Sequence, residues 1–230
     1  MNSPSVVSSS EGTLRTRAYE NFCQQIMLAN IVAGQFISQR ELMELLNMPL
    51  GAVREMIPRL EAEGLIRTVP QRGLQIAHVD LKLINNAFGL RLVLEKEAAA
   101  RFASSVSDDE IEEIYLSHQE IIARAQRNPL ESTLLDDAQK LDWGLHDRMI
   151  DAMGNELVSE IYRVNSLRLR LIRLEGTMIS PDRLIPAMEE HLKIINALKS
   201  RQSSLVTEMV AIHIESAHQR LLAWPARDRK

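Results

Sequence analysis

A chain of 230 residues suffices for one large domain or two small ones, and 45% hydrophobic with 25% charged residues is the balance of a globular protein. Aromatic residues make up only 4%, so the core has to be Leu, Ile, Val, Met and Ala, which suits packed helices. No apolar run approaches the roughly 18 residues needed to span a bilayer, the opening MNSPSVVSSSEG lacks the basic-then-apolar pattern of a signal peptide, and the single cysteine, Cys23, excludes an intrachain disulfide. These features predict a cytoplasmic protein with no membrane partner. The net charge of −4 speaks against a nucleic-acid partner, but its distribution speaks for one. Residues 1–78 hold seven Arg, seven Asp or Glu and no Lys, and a planar guanidinium can fork two hydrogen bonds to phosphate or guanine.

Residues 1–12 read as a disordered tail. From Leu14 to about Ile31 apolar residues recur at helical spacing, and Ala33-Gly34 ends the run. Ser38-Gln39-Arg40-Glu41 is a capping box, the serine capping a helix and the glutamate three residues on reaching back. A short helix, ELMELLN, follows. In LNMPLGAVREMIPRLEAEGLI, Pro49 stands where a helix begins and Gly64 where one stops. LIRTV and LQIAH are then short strand-like runs separated by PQRG. Three helices and a two-stranded ribbon predict a winged helix-turn-helix over residues 13–78.

The run ISQRELMELLNMPLGAVREMIPRLEAEGLIRTVPQRGLQIA resembles the DNA-binding domain of the GntR family of bacterial transcription regulators, with V-R-E, L-E-A-E-G-L and P-x-R-G elements spaced as in that family. The resemblance implies DNA contacts from Arg40 at the start of the second helix, from Arg54 on the recognition helix, and from Arg72 beside Gly73 at the wing tip. Arg59 and Gln71 complete the expected DNA-binding set. Two departures stand out. Pro49 and Leu50 replace the serine or threonine and the arginine usual at the start of the recognition helix. Pro58 lies inside that helix, where a proline removes a backbone bond and costs about 3 kcal/mol or bends the axis.

Residues 79–224 show six helix-like stretches, roughly 80–104, 107–128, 131–153, 155–177, 181–200 and 203–223, before a short tail at 225–230. Their amphipathic patterns and short connections predict an antiparallel six-helix bundle, so the whole chain is mostly α. In the third stretch Leu135, Ala138, Leu145, Met149 and Met153 share one arc of the helical wheel, and Asp142 and His146 fall in the middle of it. An isolated buried carboxylate costs several kcal/mol even after relaxation, so something must satisfy that pair. His191 lies on the stripe Leu184, Met188, Leu192, Ile195, Leu198. His213 lies on Val206, Val210, Ala217, Leu221, whereas His218 is turned about 140° away, toward solvent or a boundary. A single histidine on an apolar face is usually an ordinary core residue. Three of them together with a carboxylate suit a divalent ion, zinc first, with nickel, iron or manganese as alternatives. His118 also lies inward, with Ile111, Ile114, Ile121, Ile122 and Ala125, and reads as a core or pocket residue.

LRLVLEKEAAARFA, the D-x-x-x-H of Asp142 and His146 followed by Gly154-Asn155, EEHLKIINAL and AIHIESAHQRLL resemble the ligand-sensing FCD domain of the FadR subfamily of GntR regulators. Six helices match its VanR-like branch. The resemblance implies Asp142, His146, His191 and His213 as metal ligands.

The expectation is therefore a metabolite-responsive transcription regulator, a homodimer on a palindromic double-stranded DNA operator, with one divalent ion per chain helping to hold a carboxylate-bearing effector. Arg168, on the stripe Leu157, Ile161, Val164, Leu171, and Arg91 are the cations expected to grip the effector, with His118 nearby. Ion pairing with Glu175 or Glu95 is the ordinary alternative for the two arginines. Two rival readings are weighed against this one. His146-Asp147 is an HD dipeptide, as in helical metallohydrolases, but Asp147 faces outward and no general base beside a metal-bound water can be named. Alternatively, the bundle is a metal-free dimerisation scaffold with a hydrogen-bonded histidine cluster.

Overall fold

A computed structural model describes residues 8–174 and 179–223. The chain divides into two compact units. The first holds the described residues up to Leu83 together with 166–174, and the second holds Ile84–Asn165 with 179–223.

In the first unit the order is α1 (Ser8–Met27), β1 (Phe36–Ile37), α2 (Gln39–Leu46), α3 (Leu50–Ala62), β2 (Ile66–Val69) and β3 (Gly73–Ile76). The helix α1 reaches back to Ser8, so the expected disordered tail is wrong for residues 8–12; residues 1–7 lie outside the described ones. The capping box forms as predicted: Glu41 N–H donates to Ser38 Oγ at 3.1 Å, and Ser38 N–H donates to Glu41 Oε2 at 2.7 Å. Asn47, in the left-handed region at φ 49°, ends α2 and turns the chain into α3. Pro58 does not break α3, which runs unbroken to Ala62. It sits on the exposed face, where water can take up the carbonyl one turn back that the missing N–H leaves free.

The ribbon has three strands rather than two. β1, two residues long, pairs antiparallel with β3 (Phe36 opposite Gln75, Ile37 opposite Leu74), and β3 pairs with β2 from Ile66–Ile76 to Val69–Gly73. Gly73 is required here. Its φ is +87°, and a Cβ would come within 3.0 Å of the Ile37 carbonyl oxygen. The core beneath combines Phe22, Leu42, Val53, Met56, Leu60 and Leu74 with Leu167 and Leu171.

The second unit holds α4 (Leu81–Ser105, from Ile84 on), α5 (Asp108–Arg127), α6 (Leu134–Asp151), the first part of α7 (Glu156–Leu174), α8 (Pro181–Lys199) and α9 (Ser203–Leu222). These are the six expected helices. The largest shift is at α6, which starts at Leu134 rather than 131. Ser107 caps α5 by accepting from Glu110 N–H at 3.1 Å, and Asp108, Asp109 and Glu110 place negative charge at its N-terminus. Pro181 opens α8, where its missing N–H costs nothing. Ile121, Ala125, Leu134, Ala138, Leu184 and Met188 pack α5, α6 and α8 together.

Candidate metal centre and DNA-reading surface

Helical spacing alone puts Asp142 and His146 one turn apart on α6, facing the same way. His191 comes from the middle of α8 and His213 from the middle of α9. The structure brings all four together. One ligand-type atom from each lies within 4.8 Å of the others, and all four residues are buried. Ring centroids are 5.1 Å apart for His146 and His191, 5.2 Å for His146 and His213, and 4.7 Å for His191 and His213. His191 Nε2 is 3.4 Å from Asp142 Oδ1, and Gln139 Nε2 donates to Asp142 Oδ2 at 3.4 Å.

The outer side is hydrogen-bonded in His191 and His213, and in His146 it faces a carboxylate without a hydrogen bond. His213 Nδ1 is 2.9 Å from Glu190 Oε2, and Arg220 donates to both oxygens of that carboxylate at 2.6 and 3.1 Å. His191 Nδ1 is 3.1 Å from His118 Nε2, while His118 Nδ1 is 2.7 Å from the Ile114 carbonyl oxygen. His146 Nδ1 lies 2.7 Å from Glu95 Oε2, an approach bent away from hydrogen-bond alignment, and no other polar atom satisfies either of the two. Glu95 Oε1 accepts from Arg91 Nε at 2.5 Å and from the Tyr162 hydroxyl at 2.7 Å.

The inner side of each ring is different. Nε2 of His146, His191 and His213 are all buried atoms with no hydrogen-bond partner. Such groups are costly unless something fills the role. Protons are not the answer for two of these rings. Burial pushes His146 down to about 4 although Glu95 pulls the other way, and it pushes His191 well below the usual histidine range. At neutral pH these are neutral imidazoles, the form that binds a metal. Burial also works against charge on Glu190, but the hydrogen bonds from His213 and Arg220 outweigh it and hold that carboxyl at about 2. Three imidazole nitrogens and a carboxylate fit one divalent ion as a donor set.

The expected effector residues fall elsewhere. Arg91 is engaged with Glu95, so the ordinary alternative describes it. Arg168 lies in the first unit and donates to the Glu63 carbonyl at the end of α3. Its expected inward stripe is also incorrect, since Leu157 is 71% and Ile161 52% exposed. Glu175, its other expected partner, is outside the described residues. His118 supports His191 and also lines a cavity of about 320 Å³ between α5 and α6, together with Lys140, Arg148, Glu113 and Asp137. His218 sits at the boundary, stacked on Phe88 at 4.8 Å and 3.0 Å from Asn85 Oδ1.

In the first unit Arg40 and Arg54 are exposed on α2 and α3, Arg54 donating to Gln39 Oε1 at 3.0 Å. At the wing tip Gln71 is in the left-handed region at φ 62°, and exposed Arg72 stacks over the Phe36 ring at 4.0 Å. Arg59, by contrast, is tied to Glu63 at 2.8 Å and lies over the Tyr19 ring at 3.7 Å, a structural role near the C-terminus of α3.

Residues 14–76 match the gntR family of bacterial regulatory proteins, and residues 86–216 match the FCD domain. The chain belongs to the GntR family, in its FCD-containing group. It is a transcription regulator and not an enzyme, which removes the metallohydrolase reading. The regulator is 25% identical over 199 residues to the HTH-type transcriptional repressor RspR of Escherichia coli, covering 86% of this chain and 84% of that one. It is 24% identical over 189 residues to the Nta operon transcriptional regulator of Aminobacter aminovorans, covering 82% and 85%. Its fold is that of E. coli McbR/YncC, with a TM-score of 0.74 at 16% identity over 91% of this chain and 97% of that one. A GntR regulator from Rhodococcus sp. RHA1 has the same TM-score at 16% identity, over 93% and 99%. No described helix is long and apolar enough to cross a membrane.

Proposed function

We propose that this regulator is a cytoplasmic, metal-dependent sensor of a carboxylate-bearing metabolite, binding a palindromic operator as a homodimer. The observation that carries the reading is the set of three buried, unsatisfied Nε2 atoms grouped with the Asp142 carboxylate. Asp142, His146, His191 and His213 would hold one divalent ion, zinc first among the candidates. The ion would supply a Lewis-acidic centre with open positions, and an effector carboxylate suits such a hard positive site. Effector binding then shifts the population of arrangements available to the dimer and so changes operator occupancy. Repression is the direction shared with the relative RspR.

On the DNA side, α3 is the recognition helix, with Arg54 and Arg40 exposed for base or phosphate contacts and Arg72, Gln71 and Gly73 forming the wing that reaches the minor groove. Leu50 in place of a basic residue leaves Arg54 as the main guanidinium on α3 available for reading bases, since Arg59 is held by Glu63. Arg54→Ala is expected to weaken operator binding by about 1–3 kcal/mol while leaving the thermal midpoint in place. Fluorescence anisotropy with the DNA flanking the gene, at moderate salt, measures this. Unchanged affinity would remove Arg54 from the interface.

For the sensor, His191→Ala is expected to abolish stoichiometric zinc binding and with it the thermal shift produced by an organic-acid effector. Full metal occupancy in that variant would point to a different ligand set. A metal-free scaffold would instead show the same effector response with and without chelator.

A further inference from the structure

The exposed arginines of the winged unit are held by different chemistry. Arg59 is bound by the Glu63 carboxylate at 2.8 Å, which offsets its charge. Arg67 donates through Nε and a terminal nitrogen, at 2.8 and 2.5 Å, to the amide oxygen of buried Gln75, so part of its fork is used. Arg54 is held differently again: its Nε alone donates, at 3.0 Å, to Gln39 Oε1. A guanidinium offers five donors and no acceptor, so the Gln39 amide has to turn its oxygen toward it. The contact leaves the four N–H groups on the two terminal nitrogens, the pair that can fork onto O6 and N7 of one guanine. Both ends of the contact are fixed by the backbone. Gln39 opens α2 directly after its N-cap Ser38, inside the capping box with Glu41. Arg54 lies on the exposed side of α3, whose other side is pinned by buried Val53, Met56, Ile57 and Leu60. Leu42 and Leu46 of α2 join the same core, so helix packing sets the separation of the two side chains.

We propose that Gln39 is a positioning residue for DNA reading. It holds Arg54 by the Nε edge and so restricts the guanidinium to an end-on approach, through its two terminal nitrogens, toward one guanine of the operator. The proposal rests on the reading of Arg54 as a base contact. An unrestrained arginine on a helix surface samples many rotamers and can present either of two edges, and ordering it at an interface costs free energy. The Gln39 amide settles the edge beforehand. Being neutral, it leaves the full positive charge of Arg54 for DNA, which the carboxylate at Arg59 does not. With Arg59 tied to Glu63, Arg54 is the arginine of α3 available to a base, and the restraint falls on the side chain whose orientation matters most.

The test is selection of binding sites from a random-sequence duplex library by the full chain, followed by anisotropy on the selected site and its single-base variants. The proteins compared are the wild type, Arg54→Ala, Gln39→Ala, and Gln39→Met, which keeps the side-chain length without an oxygen. Arg54→Ala defines the base pair that this arginine reads. At that pair both Gln39 variants are expected to lower the preference for guanine about 3- to 10-fold, a share of the roughly 5- to 150-fold discrimination that a bidentate contact supplies. Preferences at other positions, the slope of affinity against salt and the thermal midpoint are expected to stay as in the wild type. Should the alanine variant lose its fold, the methionine variant decides. An unchanged guanine preference in the folded Gln39 variants, where Arg54→Ala loses it, overturns the role of Gln39 and leaves Arg54 as the reader. Uniform weakening across all sequences with a shallower salt slope places the pair on phosphate and overturns the proposal. A change at a base pair other than the one lost in Arg54→Ala gives Gln39 a base contact of its own and overturns its positioning role. If Arg54→Ala alters no base preference, the base-reading of Arg54 itself fails, and the proposal with it.

Discussion

Glu95 is fully buried between Arg91, Tyr162 and His146, and its charge survives there because the guanidinium and the phenol hydrogen share one oxygen while His146 faces the other. Removing one member of such a group leaves the rest uncompensated. Glu95→Ala is expected to cost about 3–5 kcal/mol, read as a lowered urea midpoint. A cost below about 1 kcal/mol would mean the network is more solvated than its burial indicates. His146 carries a pH prediction. Burial lowers its folded pKa to about 4 from 6.5, so the unfolded chain takes up the proton first. The stability contributed by the neutral ring is whole above 6.5 and is lost as pH falls from 6.5 to 4. Urea midpoints of chelator-treated protein at pH 7.5 and 5 should show that decline, and His146→Gln should reduce its slope. An equal slope in the variant would assign the acid sensitivity to other groups. The same residue-level logic made the grouping of Asp142, His146, His191 and His213 legible: an acid and three imidazoles on apolar stripes demand a shared explanation. It named Glu95 only as an ion-pair partner of Arg91 and not as the buried acid facing His146, because an i, i+4 pair of opposite charge is normally a surface feature. Glu190 was hidden by its neighbour. The wheel that turned His191 inward turned Glu190 about 100° aside, and only the position of α9 brings Arg220 and His213 to it.

At the scale of elements, periodicity located helices well where one helix has one buried face, as in α5, α6, α8 and α9. On α7, whose residues divide between two units, it located the helix but misread its buried face. Residues before Asn165 leave Leu157 and Ile161 exposed, while Leu167 and Leu171 are buried in the core of the first unit. One wheel drawn through both halves averages two faces and misplaces Arg168. Strand β1 escaped because two residues carry no alternation to read. Its presence nevertheless makes Gly73 a two-sided constraint, positive φ and a backbone oxygen 3.0 Å from any added Cβ. Gly73→Ala is therefore expected to destabilise the winged unit by about 1–3 kcal/mol and to weaken operator binding with it. Melting and anisotropy on the same preparation check this. Full stability with full affinity would show that the β1–β3 contact yields freely. Leu171 is fully buried, and Leu171→Ala should cost about 2–5 kcal/mol, confirming by its size that α7 belongs in part to the winged core.

For the whole molecule, the chain joins a DNA-reading module of the GntR type to an FCD domain. The near-neutral first 78 residues, with Arg as their only basic type besides histidine, put the positive charge on individual side chains of α1, α2, α3 and the wing. Affinity for DNA should accordingly fall steeply with salt, with a slope reporting the few phosphates engaged. In the FCD domain the four inward ligand-type side chains and the shell behind them are a costly construction for a scaffold, because each unsatisfied buried nitrogen forfeits about 1–3 kcal/mol. A bound cation would remove that cost and would link the stability of the domain to the metal proposed for it. The most direct test of this account is the zinc content of the purified full-length regulator after equilibration with zinc and gel filtration, measured by elemental analysis. One ion per chain, falling to a small fraction in His191→Ala, is the predicted result. Less than about a tenth of an ion per chain in the folded wild type would contradict it.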